Sequence, residues 1–476
     1  MPNLSQLYIN GRWVDPEHKE TLHVINPATE TAIATLALAG VSDVDKAVQA
    51  ARRAFASYSA LSVAARLELL DSIIAEYRQR WDDMADAITQ EMGSPVARAR
   101  KAQTALGLVH LKSARQALET FAFERTDADV VLRHEPIGVC GLITPWNWPM
   151  NQVAAKVAPA LAAGCTVVLK PSEESPLSAA VWTEILHTAG VPAGVFNLVH
   201  GQGALAGEAI ASHPDIDMVS FTGSTRAGVA VAKAAAESVK RVCQELGGKS
   251  AAVVLPDADI ATAVRTAIKG VMDNSGQSCN APTRLLIPQD AMAEAVDVAK
   301  ATAESLCVGD PQSTETALGP LVNGAQYRKV VGLIETGIRE GATLVTGGVE
   351  RPDGVGQGYY VKPTVFADVD NQMTIAREEI FGPVVCMIPY DTEDDAIRIA
   401  NDTPYGLAAY VASEDPAHAL AVARQLRAGQ VSINFAYGKA EAPFGGYKQS
   451  GNGREKGVWG LQEYLEIKGV LGVADG

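Results

Sequence analysis

GVCGLITPWNWPMNQVAAKVAPALAAGCTVVLK, residues 138–170, holds two short apolar runs on either side of an alanine-rich stretch. The runs 138–143 and 166–169 have strand length, and the stretch near 150–163 has helix composition. The alternation continues with apolar runs at 195–199, 218–221 and 242–246 and helical stretches near 177–189, 203–212 and 226–238. Such β-α alternation implies a parallel sheet with helices on both faces. Ligands bind such a sheet beyond the carboxyl ends of its strands. A second series starts at 251–255 and continues to about 435 through 283–287 and 384–388. The expected class is α/β, with two doubly wound domains and small flanking strands.

Upstream, Leu7-Tyr8-Ile9 and Arg12-Trp13-Val14 flank Asn10-Gly11, a pair suited to the two-residue hairpin turn that needs positive φ. Ser42 is a candidate cap for a helix running to about residue 57, and further helices are expected over roughly 63–91 and 96–122. Residues 344–364 read as a loop-rich segment. The glycine-dense PFGGYKQSGNGREKG, residues 443–457, leads into a short helix and a strand-like tail.

The chain has 476 residues, enough for two or three domains, and its 47% hydrophobic content can build a sizeable core. A net charge of −15 without a basic run argues against nucleic acid as a partner. No apolar run is long enough to cross a bilayer, and the first residues lack the pattern of a secretory signal. The six scattered cysteines have no CxxC spacing and read as reduced thiols of a cytoplasmic protein. The eight histidines form no HExxH or Cys/His cluster, so no catalytic metal is expected.

Cys279 stands in NSGQSCNAPTR among small and polar neighbours, a setting that leaves a thiol reachable as a nucleophile toward carbonyls. The alternative is a buried small apolar residue. Glu245 closes an apolar run before Gly247-Gly248, where a partly buried carboxylate suits general-base work; otherwise it is a solvated loop carboxylate. Asn147 follows a strand between Pro145 and Pro149, with Trp146 and Trp148 as pocket walls. Its amide either donates to a developing oxyanion or caps the next helix. Phe221–Gly228 is a strand-to-helix turn that offers backbone N–H groups to phosphate, although it is GxxxxG and not GxGxxG. Lys170 and Glu173 end another strand within reach of ribose hydroxyls, and a carboxylate there disfavours a 2′-phosphate.

TPWNWP, KPSE, FTGSTRAG, ELGGK, GQSCNAPTR, EEIFGPV, NDTPYGLAA and PFGGYKQSG follow one another at suitable distances. From about residue 7 to 468 the chain closely resembles the NAD(P)-dependent aldehyde dehydrogenase superfamily. The resemblance implies an NAD-binding domain over 1–117 and 137–247 and a catalytic domain over 248–447. It also implies an oligomerisation element over 118–136 and 448–476 that bridges a homodimer or homotetramer. It implies Cys279 as nucleophile, Glu245 as base, and Asn147 with the Cys279 N–H as oxyanion hole. Lys170, Ser172 and Glu173 would hold the adenosine ribose, and Gly223 and Ser224 the pyrophosphate. Glu379, Phe381 and Trp146 would hold the nicotinamide end. Glu455 matches a residue of the proton relay. The cofactor would be NAD by preference, with NADP admitted.

The implied reaction oxidises an aldehyde to its acid through a cysteine thiohemiacetal and thioester. The expected substrate tunnel involves Trp148, Asn151, Gln152, Ala155, Ser278, Asn280 and residues 435–442. Lys439 and Arg284 are candidate partners for a distal carboxylate of a semialdehyde acid; a medium-chain aliphatic or aromatic aldehyde is the other substrate class. The rival functions are acyl transfer to coenzyme A through the same thioester, and a non-catalytic nucleotide-binding protein.

Overall fold

The structure is a computed structural model and describes residues 2–127, 129–436 and 438–472. Among these residues, eight strands form one sheet in the order Gly451–Asn452, Arg241–Glu245, Met218–Thr222, Val139–Ile143, Thr166–Lys170, Phe196–Leu198, Leu7–Ile9, Arg12–Val14. The five apolar runs foreseen after residue 138 all lie in it, parallel to one another. Val139–Ile143, Thr166–Lys170 and Met218–Thr222 are buried along their whole length, as a sheet covered on both faces requires. From Val139–Ile143 the chain builds outward on one side through Phe196–Leu198. It then crosses back to lay Met218–Thr222 on the other side. The order therefore reverses between Val139–Ile143 and Met218–Thr222, and a crevice opens beyond the carboxyl ends of these two strands.

The second sheet has the order Thr343–Thr346, Thr364–Ala367, Val384–Tyr390, Arg284–Pro288, Ala251–Val254, Ala408–Ala412, Gln430–Ile433. Only its first strand is antiparallel to its neighbour. Two small sheets complete the described structure. Leu465–Leu471, Val130–Pro136 and Glu124–Asp127 form one, and Thr21–Asn26 with Thr31–Ala37 form the other. Gly451–Asn452 lies along the edge of the first sheet, not with the tail strand Leu465–Leu471. The segments 118–136 and 448–476 reach outside the described residues at 128 and 473–476.

The amino-terminal hairpin has the register Leu7↔Val14, and both Asn10 (φ 54°) and Gly11 (φ 77°) take the positive φ its turn needs. The expected Ser42 cap is not used. The helix Val41–Ser59 starts one residue after Gly40, and the Asp43 carboxylate accepts the Gly40 N–H at 3.0 Å. Ser42 donates instead to Glu17 at 2.7 Å. Asp43 wins because a carboxylate two residues inside the first turn reaches back to an orphan N–H that a hydroxyl at residue 42 faces away from. The helical stretch 63–91 is two helices, Val63–Gln79 and Trp81–Met92, which meet at Arg80. The stretch 96–122 begins with Val96–Arg98, passes through a π-turn at Ala99–Gln103 and continues as Thr104–Thr120. No described helix is long and apolar enough to cross a membrane.

Candidate active site

The loop before Cys279 is built from three consecutive left-handed residues: Asn274 (φ 52°), Ser275 (φ 54°) and Gly276 (φ 74°). A side chain at Gly276 would collide with the Gly382 carbonyl, so this loop lies directly on the backbone of EEIFGPV. The strain is held by buried hydrogen bonds. Asn274 Nδ2 donates to the Asn147 carbonyl at 2.8 Å and to the Gln277 carbonyl at 3.2 Å. The Val322 N–H donates to Gln277 Oε1 at 3.0 Å. Asn147, buried, donates one amide hydrogen to the Gln277 carbonyl at 3.1 Å, which leaves its second amide hydrogen for a ligand. The loop of Cys279 and the turn of Asn147 are thus tied together across 130 residues of chain.

A cleft of about 780 Å³ opens here, and its walls include Trp146, Asn147, Gly223, Ser224, Cys279, Glu379 and Phe381. Seven residues singled out in the sequence therefore share one space at the switch point of the first sheet. The Ser224 hydroxyl caps the helix Thr225–Ala235 by accepting the Ala227 N–H at 3.3 Å. The amino end of that helix faces the cleft, a setting that favours negative charge. Glu379 is fixed by the Gly248 N–H at 3.0 Å, and any side chain at Gly247 would press on its carboxylate. The rings of Trp146 and Phe381 meet edge to face at 5.5 Å.

Lys170, Ser172 and Glu173 do not line this cleft. They follow the carboxyl end of Thr166–Lys170, separated from Met218–Thr222 by one strand, or roughly 10 Å. Lys170 Nζ donates to Glu173 Oε2 at 3.1 Å and to the Pro171 carbonyl at 2.9 Å. The Ser172 hydroxyl accepts the Glu174 N–H at 3.2 Å. An extended dinucleotide spans such a distance, so the two groups of residues fit the two ends of one ligand.

Glu245 ends its strand beside Thr222 and is not among the residues that wall the cleft. It borders a separate small void with Cys243, Arg454 and Glu455. It is 4% exposed, and neither carboxylate oxygen has a hydrogen-bond partner. Burial, reinforced by the nearby Glu455 carboxylate, pushes its pKa well above the ordinary range. Glu455 is itself paired with the buried Lys156 at 2.6 Å. Cys279 is partly exposed as a residue and lines the cleft, with its thiol enclosed by protein. Burial, then the Glu379 and Glu245 carboxylates, push its pKa up to about 12, so this arrangement holds a thiol and not a thiolate.

The tunnel residues divide. Trp148 Nε1 donates to Ser278 Oγ at 2.8 Å, one residue from Cys279, and Gln152 lines the cleft. Asn151 bonds to His110 at 2.7 Å. Ala155 instead borders the small voids at Glu245 and at Lys456. Lys439 is exposed, and within 435–442 Tyr437 lies outside the described residues.

Arg284 is corrected from ligand partner to structural residue. It is 1% exposed, and its guanidinium donates to the carbonyls of Lys249, Ile399 and Ala400 and to Asn371 Oδ1 at 2.8–3.0 Å. Its donors are consumed by the second sheet's surroundings, out of reach of any substrate. Arg284→Met should destabilise the fold by about 3 kcal/mol or more, since it strands several buried acceptors. An unshifted urea midpoint would contradict this.

Sequence reading did not find Lys329 or Gln326, which line the cleft from the helix Gly324–Arg339. Lys329 donates to the Glu379 carbonyl at 2.7 Å, and Gln326 to the Phe381 carbonyl at 2.8 Å. Neither sits in a local motif. The Arg98–Asp273 ion pair, with Arg98 stacked 5.2 Å over the Trp148 ring, also has no signal in either stretch alone.

The sequence model of the aldehyde dehydrogenase family matches residues 13–470. The 3-succinoylsemialdehyde-pyridine dehydrogenase of a Pseudomonas species is 51% identical, over 99% of both chains. An aldehyde dehydrogenase C variant from Pseudomonas syringae, solved in complex with NAD+ and octanal, superposes with a TM-score of 0.99 at 52% identity. The match covers 99% of this chain and 98% of that one. The NAD+ complex of a Bacillus cereus aldehyde dehydrogenase superposes at 0.95 with 39% identity, covering 99% and 97%.

Proposed function

This chain belongs to the aldehyde dehydrogenase family, and from that premise we propose that it oxidises an aldehyde to its acid with NAD, using Cys279 as nucleophile and Glu245 as base. The observation that carries this reading is the single cleft holding Cys279, Asn147, Glu379 and the amino end of the helix Thr225–Ala235. The residues present fit a dinucleotide. Side chains at Gly223 and Gly247 would crowd Phe221 and Glu379, so bare backbone faces the cleft at both positions. Relatives solved with NAD+ support the same assignment. When bound, NAD accepts the hydride.

Cys279, a wall of the cleft, gives its proton to solvent, and its sulfur bonds to the aldehyde carbon. The free amide hydrogen of Asn147 and the Cys279 N–H receive the charge that develops on oxygen, a contribution of about 3–4 kcal/mol per donor in such sites. Loss of hydride leaves a thioester on Cys279. Glu245, whose lifted pKa makes its carboxylate a stronger base than an ordinary one, activates the water that releases the acid. The same carboxylate disfavours transfer to coenzyme A, since a base that activates water would hydrolyse the thioester first. A panel of aldehydes followed at the NADH absorbance, with and without coenzyme A, tests the reading. An absence of NADH, or its appearance only with coenzyme A, would sink it.

Glu173 sets the preference for NAD over NADP in this reading. It is tethered to Lys170 and about one-quarter exposed, so its charge is fixed where a 2′-phosphate would lie. Glu173→Gln should lower the NAD/NADP ratio of kcat/KM by about tenfold; an unchanged ratio would refute the assignment. Assembly into a homodimer or homotetramer is supported by two uncovered sheet edges, Leu465–Leu471 and Gln430–Ile433. The former exposes Ile467 and Leu471. A cytoplasmic site of action is supported by free cysteines.

A further inference from the structure

Glu174 follows Glu173 in the turn that joins the strand Thr166–Lys170 to the helix Pro176–Thr188, and no step outlined above uses it. The backbone of this turn is held from both sides. The Glu174 N–H donates to Ser172 Oγ at 3.2 Å, and the Ser175 N–H donates to the Ser172 carbonyl at 3.2 Å. Behind it, the buried Glu91 carboxylate accepts the Leu177 and Ser178 N–H groups at 2.6 and 3.2 Å and anchors the amino end of the next helix. The Glu174 side chain leaves the turn for a distant partner: its Oε1 accepts Asn323 Nδ2 at 2.9 Å, across 149 residues of chain.

Asn323 belongs to the second sheet's side of the molecule. It caps the helix Gly324–Arg339, whose Val330 and Ile334 pack with Phe366 and Val384 of that sheet. Both ends of its amide are engaged: Oδ1 accepts the Gln326 N–H at 2.8 Å, while Nδ2 donates to Glu174. Gln326 and Lys329, in the first two turns of this helix, line the cleft and hold the carbonyls of Phe381 and Glu379. The residue before Asn323 is tied as well, by the Val322 N–H to Gln277 Oε1 in the loop of Cys279. One side-chain bond therefore joins the turn that fits the adenosine ribose to the helix that walls the nicotinamide end and, through Val322, to the nucleophile loop. An amide that donates to a carboxylate makes a charge-assisted hydrogen bond, and this one is partly buried.

We propose that Glu174 is a positioning residue: by holding Asn323 it fixes the ribose turn against the helix Gly324–Arg339, so that a dinucleotide gripped at its adenosine end presents its nicotinamide end in register with Cys279. The inference rests on the NAD reading above and adds to it a residue that touches neither end of the cofactor. A ligand that reaches only the ribose turn gains nothing from the bond. A ligand that reaches both walls does gain, because it would otherwise have to order one wall against the other as it binds.

The test compares two ligands by titration calorimetry on the whole protein. AMP reaches the ribose turn alone, and NAD spans both walls. Glu174→Ala should raise the Kd of NAD by about tenfold, the scale of one charge-assisted hydrogen bond, and that of AMP by less than about twofold. Asn323→Ser keeps a capping hydroxyl for the helix but is too short to reach Glu174, so it should give the same pattern. The double variant should lose no more than either single one. Glu174→Gln keeps an acceptor oxygen in place and should hold NAD within about threefold of the wild type. Retained AMP binding shows that the variants are folded. Equal losses for AMP and NAD, unchanged NAD binding, additive losses in the double variant, or a Glu174→Gln variant as weak as Glu174→Ala would each overturn the proposal. Binding of NAD to the wild type reports separately: its absence would remove the cofactor reading itself, and the proposal with it.

Discussion

Cys279→Ala should lower aldehyde-dependent NADH formation by at least about 10⁴-fold, because it removes the atom on which both covalent intermediates form. The substitution is small, and the loop is held by Asn274, Gln277 and Val322 and not by the sulfur, so the fold should persist. Cofactor binding should persist as well, since Cys279 is one wall of a cleft that has many others. Quenching of Trp146 fluorescence by added NAD provides that control. Substantial NADH production by the variant would end the nucleophile assignment. The thiol also carries a pH signature. With a pKa near 12, its thiolate fraction is small at neutrality and grows tenfold per pH unit. Alkylation of the Cys279 peptide by iodoacetamide in the free protein should therefore climb from pH 7 to 10 without a plateau. Levelling near pH 8 would show that burial and the two carboxylates do not govern this thiol. Cys307 is exposed, so the reaction must be followed peptide by peptide.

The parallel sheets were readable because their strands are buried on both faces and appear as short, continuous apolar runs between helices. Strand ends shifted by only a residue or so, as with 166–169 against Thr166–Lys170. The hairpin at Asn10-Gly11 was readable because its turn has a strict backbone demand. Ser42 misled because side-chain type alone does not say which carboxylate or hydroxyl reaches the orphan N–H groups, and Asp43 reaches them. The uninterrupted pattern over 63–91 hid the corner at Arg80, since a good helix former can sit between two helices. At the site, Trp146, Asn147, Gly223, Ser224, Cys279, Glu379 and Phe381 share one cleft, whereas Lys170, Ser172, Glu173 and Glu245 do not line it, and residues contributed by long helices did not announce themselves. Lys329 and Gln326 reach Glu379 and Phe381 only after the second sheet brings the helix Gly324–Arg339 over them. Arg284 illustrates the opposite error. Its position five residues after Cys279 suggested proximity, but its strand runs away from the nucleophile and buries the guanidinium among carbonyls.

Glu245→Gln should separate the two halves of the reaction. The nucleophile, the cleft and Asn147 are untouched, so the first turnover should still release NADH as a burst. Hydrolysis of the thioester then lacks its base, and steady-state kcat should fall by about 10²–10⁴-fold. Glutamine keeps the shape of the side chain in a void where neither carboxylate oxygen has a protein partner, so no buried bond is broken by the change. The pH dependence gives the second check. Because burial and Glu455 lift the pKa of Glu245, the basic form accumulates only as pH rises past that lifted value. Wild-type kcat should therefore increase with pH, and this limb should vanish in the variant. A normal steady-state rate without a burst would remove Glu245 from the deacylation step. An intact rising limb in the variant would assign that ionisation to another group, with Glu455, ion-paired to Lys156 and bordering the same void, the first to examine.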